Sequence, residues 1–333
     1  MESAPLVSFV TPFYNTAEFL AECIDSVLRQ TYQNWEYVLV NNSSTDGSKE
    51  IAQDYAARCP GKIRLIHTQS FLSQVDNYNF ALSCISPTSK YCKMVQADDW
   101  LFPDCVRSMV EVAEAHPRVG IVGAYQLEGE RVGLDGLPYP SREVPGCEVC
   151  RLYFLKHMYL FGTPTSLLLR SELMRARNPF YEAQYAPFED ADICFRLLRT
   201  WNFGFVHQVL TYSRVDNQSI LARSRARGLL NLYRFSVVVE HGKDFLSEEE
   251  YKRCRNDAER RYFLYLARCA LRGRNSEFWD SHRKGLASFN YSLNRWSLGK
   301  WIPRAMLEKS WESFWGRWDR DSLVARDEEA LSD

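Results

Sequence analysis

Apolar and polar residues alternate in blocks along the first third of the chain, with two different periods. Residues 6–10 form a short apolar, β-branched run that stops at Thr11-Pro12, the pattern of a buried strand followed by a break. Apolar residues then recur at Leu20, Cys23, Ile24, Val27 and Leu28, the spacing of one helix face. The unit repeats. A strand over 37–40 precedes a helix over 46–55, with Ile51, Ala52 and Tyr55 inward, and a strand over 63–66 precedes a helix over 74–84, with Val75, Tyr78, Ala81 and Leu82 on one side. A fourth strand ends at Val95. Pro103 then opens a helix whose face is Val106, Met109, Val110 and Ala113, and a fifth strand covers 119–122. Strands that alternate strictly with helices predict a mostly parallel α/β sheet covered on both faces. Such sheets bind ligands at the loops that follow the strands, here 11–15, 41–46 and 96–100.

The third of these loops holds adjacent carboxylates, Asp98 and Asp99, in the stretch Gln96-Ala97-Asp98-Asp99-Trp100. Two hard oxygen ligands at a strand end suit a divalent cation, and a cation in such a crevice accompanies a phosphorylated substrate. The plain alternative is that the pair begins a turn and caps the next helix. The stretch alone does not choose between them.

A length of 333 residues suggests about two domains. The net charge of -1 leaves no basic footprint for nucleic acid. The first residues show neither a secretory signal nor, anywhere along the chain, an apolar run of membrane-spanning length, so a cytoplasmic protein is expected. Ten scattered cysteines fit reduced thiols, and the lone Cys147-x-x-Cys150 reads as structural cysteines before zinc or redox chemistry. Residues 127–151, rich in Gly and Pro, read as a long excursion, and 152–161 as a helix with Tyr153, Tyr159 and Phe161 in core packing or sugar stacking. His157 reads as a packed or surface residue.

Beyond residue 222 helices dominate. In the segment 248–271, Tyr251, Ala258, Tyr262, Tyr265, Leu266 and Cys269 face inward. Further on, Leu307, Trp311, Phe314, Trp315 and Trp318 share one helical stripe among basic residues such as Lys309, Arg317 and Arg320. This stripe either docks on the catalytic domain or a partner subunit, the preferred reading, or lies against the inner face of a membrane.

Taken together, the loops resemble family 2 glycosyltransferases. The stretch from Val7 through Thr11-Pro12-Phe13-Tyr14-Asn15 resembles that family's opening strand and loop, and Asn41-Asn42-Ser43-Ser44-Thr45-Asp46 its second loop. Gln96-Ala97-Asp98-Asp99 resembles its metal-binding Asp-x-Asp site, Gly162 to Ser166 with Arg170 its acceptor strand, and Glu189-Asp190 with Asp192 and Arg196 its base-bearing helix. The resemblance covers about residues 7–219 and implies a GT-A fold and inverting sugar transfer from a nucleotide-sugar. It implies nucleotide-sugar contacts at Thr11, Pro12, Tyr14, Asn41, Ser43, Asn79, Gln96, Ala97 and Asp98, and Mn²⁺ or Mg²⁺ at Asp98 and Asp99. It further implies catalysis by Asp190 beside Glu189 and, as acceptor, a saccharide or lipid-linked sugar in surface glycan synthesis. The expected boundaries are a transferase domain over 1–221, with nucleotide half 5–125 and acceptor half 150–221, and a helical extension over 222–333.

The residues support this chemistry on their own account. Loss of a nucleoside diphosphate develops charge that a cation neutralises, and an attacking hydroxyl needs a carboxylate base. Glu189 and Asp190 would equally suit the first turn of an ordinary helix. There are departures from the family pattern. Asn41 stands where an aspartate is usual; its amide both donates and accepts, which suits uracil or thymine and so a UDP- or dTDP-sugar. Gln96 replaces the first aspartate of the metal motif, and Tyr78 stands where an arginine is common. Asp216 stands in place of a histidine and either supplies the missing anionic oxygen to the metal site or is an exposed loop residue. These departures also fit a degenerate, non-catalytic nucleotide-binding module of the same fold.

Overall fold

The computed structural model describes residues 4–215, 228–293 and 298–307. The chain divides into two compact units, Met1–Asn217 and Gln218–Asp333.

The first unit is built on β1 (Val7–Phe13), α1 (Ala17–Leu28), β2 (Trp35–Asn41), α2 (Ser48–Arg58), β3 (Ile63–His67), α3 (Gln74–Ser83) and β4 (Tyr91–Met94). There follow β5 (Trp100–Leu101), α4 (Cys105–Ala115), β6 (Val119–Glu128), β7 (Arg131–Gly133), β8 (Glu143–Val144) and α5 (Gly146–Lys156). The unit closes with β9 (Leu168–Arg170), α6 (Ser171–Arg175), α7 (Glu189–Leu197) and β10 (Asn202–Ser213). The sheet order is β3-β2-β1-β4-β9-β6-β10-β5, with β7 beside β6 and β8 beside β10. β1 pairs in parallel with β2 and β4, β2 with β3, and β6 with β10; β9 enters antiparallel between β4 and β6. The expected α/β sheet with helices is therefore present, with antiparallel insertions on the later side.

Every residue of β1 is buried, as a central strand covered on both faces requires. The chain leaves β1 towards β2 and β3 on one side, then returns to place β4 on the other. That reversal is a topological switch point, and its crevice lies beyond the carboxyl ends of the two strands. Pairing of β4 with β1 ends at Val10↔Met94, while β2 continues alongside β1 to Phe13↔Asn41. Pro12 lies past the last β4 pair, where its missing N–H breaks no ladder on that side.

The excursion over 127–151 is more ordered than its composition suggests. It contains the end of β6, both short strands β7 and β8, and the start of α5. The helix expected over 152–161 begins earlier, at Gly146, and ends at Lys156, with His157 left-handed at its cap. A Cβ at Gly146 would run into the carbonyls of Leu198 and Trp201, so the glycine permits close packing. Tyr153, Phe154 and Phe161 gather on Phe195 at centroid distances of 5.1, 5.6 and 5.2 Å, a core cluster.

The second unit contains α8 (Leu229–Phe245), α9 (Glu248–Leu271) and α10 (Ser276–Ser288). Ser247 and Glu250 form a capping box at the start of α9. Its core joins Leu232 and Phe235 to Tyr262, Phe263, Leu266, Phe278 and Leu286, with Trp301 packed against them. Most of the tryptophan and basic stripe, including Trp311, Phe314, Trp315 and Trp318, lies outside the described residues. Among the described residues no helix is long and apolar enough to cross a membrane.

Candidate active site

The carboxyl ends of β1, β2 and β3 bring Phe13, Asn41 and His67 into one row. Local hydrogen bonds hold the loops above it. Asn15, left-handed at φ 50°, accepts the Thr45 N–H at 2.8 Å, and its own N–H donates to Ser44 Oγ at 3.1 Å. Asparagine is among the residues that best tolerate that backbone region. Asn42 accepts the Leu72 N–H at 2.9 Å and donates to the Leu72 carbonyl at 3.0 Å, strapping down the loop after β3. Tyr14 and Phe71, both exposed, meet edge to face with centroids 4.8 Å apart.

Several of the expected nucleotide-contact residues are buried or hydrogen-bonded within the protein. Thr11 is buried, and its hydroxyl bonds the Val95 carbonyl and the Tyr37 hydroxyl, each at 2.8 Å. Pro12 and Ala97 are buried too. Asn79 gives its amide to the Tyr181 carbonyl at 2.8 Å and accepts the Tyr181 N–H at 2.9 Å, so both ends brace a loop 102 residues away. Asn41, expected to pair with a base, is 3% exposed; its oxygen accepts the Ser44 N–H at 2.9 Å and its amide faces His67 Nδ1 at 3.2 Å. Tyr14 and Ser43 remain at the rim, and Gln96 and Asp98 are half-buried.

The loop after β4 is anchored from below. Lys93, wholly buried, donates to the Thr165 carbonyl at 2.6 Å, and burial lowers its pKa. The Gln96 N–H donates to Thr165 Oγ1 at 3.0 Å. Asp99 accepts the Ser213 hydroxyl at 3.1 and 3.3 Å and the Arg214 N–H at 3.1 Å. Burial first, then the charge of Asp98, push its carboxyl up to about 7, while Thr165, Arg214 and Ser213 act in the other direction. Arg214 also donates from Nε to the Asp98 carbonyl at 3.1 Å and pairs with Glu22 at 2.7 Å. Asp99 thus ties the motif to the end of β10, whereas Asp98 is the half-buried carboxylate of the loop. Asp216, a candidate to reinforce the metal site, lies outside the described residues.

The second acidic pair opens α7. Asp190 Oδ1 accepts the Ala191 N–H at 2.8 Å, and Asp190 borders a small pocket walled by Leu82, Met94, Leu169, Tyr181 and Ile193. Burial, then the neighbouring Glu189 charge, push Asp190 up to about 8. Glu189 is buried, its pKa is raised by that burial, and its Oε2 meets no hydrogen-bond partner among the described residues. Tyr78 links the Asp98 loop to the Asp190 pocket, bonding Gln96 and packing on Tyr181 at a centroid distance of 6.0 Å. Its hydroxyl accepts Nε2–H bonds from Gln96 and Gln74, each at 3.1 Å. Burial first, and then the charges of Glu189, Asp98 and Asp190, raise its pKa. Two of the departures from the family pattern, Tyr78 and Gln96, are therefore hydrogen-bonded to each other.

Two arginines of the remaining motifs are paired within the protein. Arg170 is buried and donates to the carbonyls of Val119 at 2.6 Å and Ala113 at 2.8 Å, while Arg196 pairs with Asp192 at 2.7 Å and Glu182 at 3.1 Å. Of the residues that shape the site, Lys93 left a trace in the sequence as a cation inside an apolar strand. The parts played by His67, Phe71 and Tyr181 left none.

A mostly parallel sheet with carboxylates gathered beyond its switch point is the GT-A architecture. Residues 8–177 match the model described as glycosyl transferase family 2, and the chain belongs to that family. It is similar to a Bacillus subtilis (strain 168) protein described as "Putative glycosyltransferase EpsE", at 30% identity over 67% of this chain and 78% of the relative. Among solved structures it is similar to S. aureus TarS 1-349 in complex with UDP-GlcNAc, with TM-score 0.64, 13% identity, and 95% of this chain and 93% of that one covered. It is also similar to the mannosyltransferase PcManGT from Pyrobaculum calidifontis in complex with GDP-Man and Mn2+, with TM-score 0.55, 15% identity, and coverage of 95% and 89%.

Proposed function

We propose that the chain is an inverting glycosyltransferase that moves a sugar from a nucleotide-sugar onto a hydroxyl of a saccharide or lipid-linked acceptor in surface glycan synthesis. The observation that carries this reading is that Tyr78, bonded to Gln96 of the Asp98 loop, packs on Tyr181, which lines the pocket that Asp190 borders. In the proposed arrangement residues 5–125 hold the nucleotide, 150–221 face the acceptor, and 222–333 form an extension whose basic tail docks on the protein or a membrane.

Asp190 acts as the base. It takes the proton of the acceptor hydroxyl while that oxygen forms a bond to the anomeric carbon. The bond from that carbon to the donor phosphate breaks from the opposite face, and its electron pair leaves with the nucleoside diphosphate, so configuration inverts. Burial first, and then the Glu189 charge, keep the Asp190 carboxyl basic. Asp98 would hold Mn²⁺ or Mg²⁺ together with diphosphate oxygens, a sparse protein donor set that Mg²⁺ in particular accepts. The donor set present fits that pattern, since Asp98 is the half-buried carboxylate of the loop and Asp99 is engaged by protein donors. When bound, the cation supplies positive charge to the departing diphosphate. The structural neighbours crystallised with UDP-GlcNAc and with GDP-Man support a nucleotide-sugar without choosing its base.

The rival reading is a nucleotide-binding module without catalysis, favoured by the engagement of Gln96 with Tyr78 and of Asn41 with His67. Hydrolysis of UDP- and dTDP-sugars with Mn²⁺ separates the two. Slow nucleotide release by the wild type, abolished in Asp190→Asn and Asp98→Asn, supports the transferase. Binding without turnover in the presence of a varied acceptor pool, unchanged in Asp190→Asn, supports the module.

A further inference from the structure

The hydrogen bonds around Asn41 fix which end of its amide faces where. The Ser44 N–H can only donate, so the atom that meets it at 2.9 Å is the carbonyl oxygen. The atom facing His67 Nδ1 at 3.2 Å is then the NH₂ group, which can only donate. His67 Nδ1 must therefore carry a lone pair, and the proton of the neutral ring sits on Nε2. His67 is exposed, and its Nε2 meets no hydrogen-bond partner among the described residues.

The loops that follow β1 and β3 carry an aromatic surface. Phe71, from the loop after β3, packs on Tyr14, from the loop after β1. β2 lies between those strands, so the two loops meet over its end, where Asn41 and His67 are Cα partners. Exposed rings beside a fixed N–H donor make a surface for a flat heterocycle bearing a carbonyl.

Resting on the proposed nucleotide-sugar site, we infer that His67 reads the nucleobase of the donor and that Asn41 is a positioning residue that locks its tautomer. Nε2–H donates to a ring carbonyl such as O4 of uracil or thymine. Cytosine carries an amino group at that position, and two donors then face each other. An unlocked imidazole could turn either nitrogen to its purpose and tolerate both bases. The Asn41 amide removes that freedom, so the UDP- or dTDP-donor preference comes from Asn41 through His67.

Isothermal titration of the full chain with UDP and with CDP, at about pH 8.5 with Mn²⁺, tests this. The wild type is expected to bind UDP about tenfold or more tightly than CDP. His67→Phe keeps a ring but loses the donor, and should bring the two affinities to within about threefold. Asn41→Asp keeps an acceptor for Ser44 and turns its other oxygen to His67, which draws the proton to Nδ1 and should erase or invert the preference. A merely structural Asn41 would lower both affinities alike. Long-range ¹H–¹⁵N correlation on the ligand-free wild type, with the His67 signals assigned by their loss in His67→Phe, should show Nδ1 as the unprotonated nitrogen. The assignment falls if the proton is on Nδ1, if UDP and CDP bind equally, or if both variants keep the wild-type ratio. A wild type with the expected tautomer that binds neither nucleotide overturns the nucleotide-site reading and, with it, the role of His67.

Discussion

Asp99 and Asp190 are both aspartates whose pKa burial raises, to about 7 and about 8, yet their surroundings differ in kind. Asp99 is met by the Ser213 hydroxyl and the Arg214 N–H from the end of a strand more than a hundred residues away. Asp190 accepts the N–H of the next residue of its own helix and borders apolar side chains with a second carboxylate beside it. Donors supplied from distant chain make a carboxylate a fastener. A carboxylate that lacks them, held against apolar walls, keeps its affinity for a proton and can take one from a substrate.

The contrast breaks most sharply at Asp190. Asp190→Asn should reduce sugar transfer by about 10²–10⁴-fold, measured as kcat with a working acceptor, without lowering thermal stability below that of the wild type. A loss of stability with activity retained would reverse the two roles. Asp99→Ala should act the other way, lowering unfolding free energy by about 1–3 kcal/mol in urea titration, because it strands buried donors at Ser213 and Arg214.

A smaller effect separates the pair by pH. With its carboxyl raised from 3.8 to about 8, Asp190 holds its proton in the folded chain where the unfolded chain has lost it. Its contribution to stability is present below pH 3.8 and is lost as pH rises through about 8. Asp190→Asn should therefore flatten the fall in melting temperature across that window. The kcat/KM profile of the wild type should show an acid limb near 8, since the base must be ionised. Least of all, Tyr78→Phe removes the acceptor shared by Gln96 and Gln74 and should cost about 1 kcal/mol of stability.

The sheet and its helices were legible because central strands are apolar on both faces and the helices carry one apolar stripe. β1 and α1 are cases in point, with Leu20, Cys23, Ile24 and Val27 all buried as their spacing implies. What escaped was non-local. Asn79 carries the local look of a ligand contact, and only the fold shows its amide meeting Tyr181. The early start of α5 depends on a close approach of Gly146 to Leu198 and Trp201, which composition cannot convey. Gln96 and Tyr78 each read as a separate loss, and only their hydrogen bond makes them one paired feature.

Lys93 has a consequence for chemical footprinting. Its amine is wholly buried beneath the Asp98-Asp99 loop, whereas Lys90, three residues earlier, has a side chain 47% exposed. An amine-reactive reagent applied to the native chain should mark Lys90 and pass Lys93 by. The appearance of label at Lys93 would then time the opening of the central sheet, read by mass spectrometry from a peptide spanning both lysines.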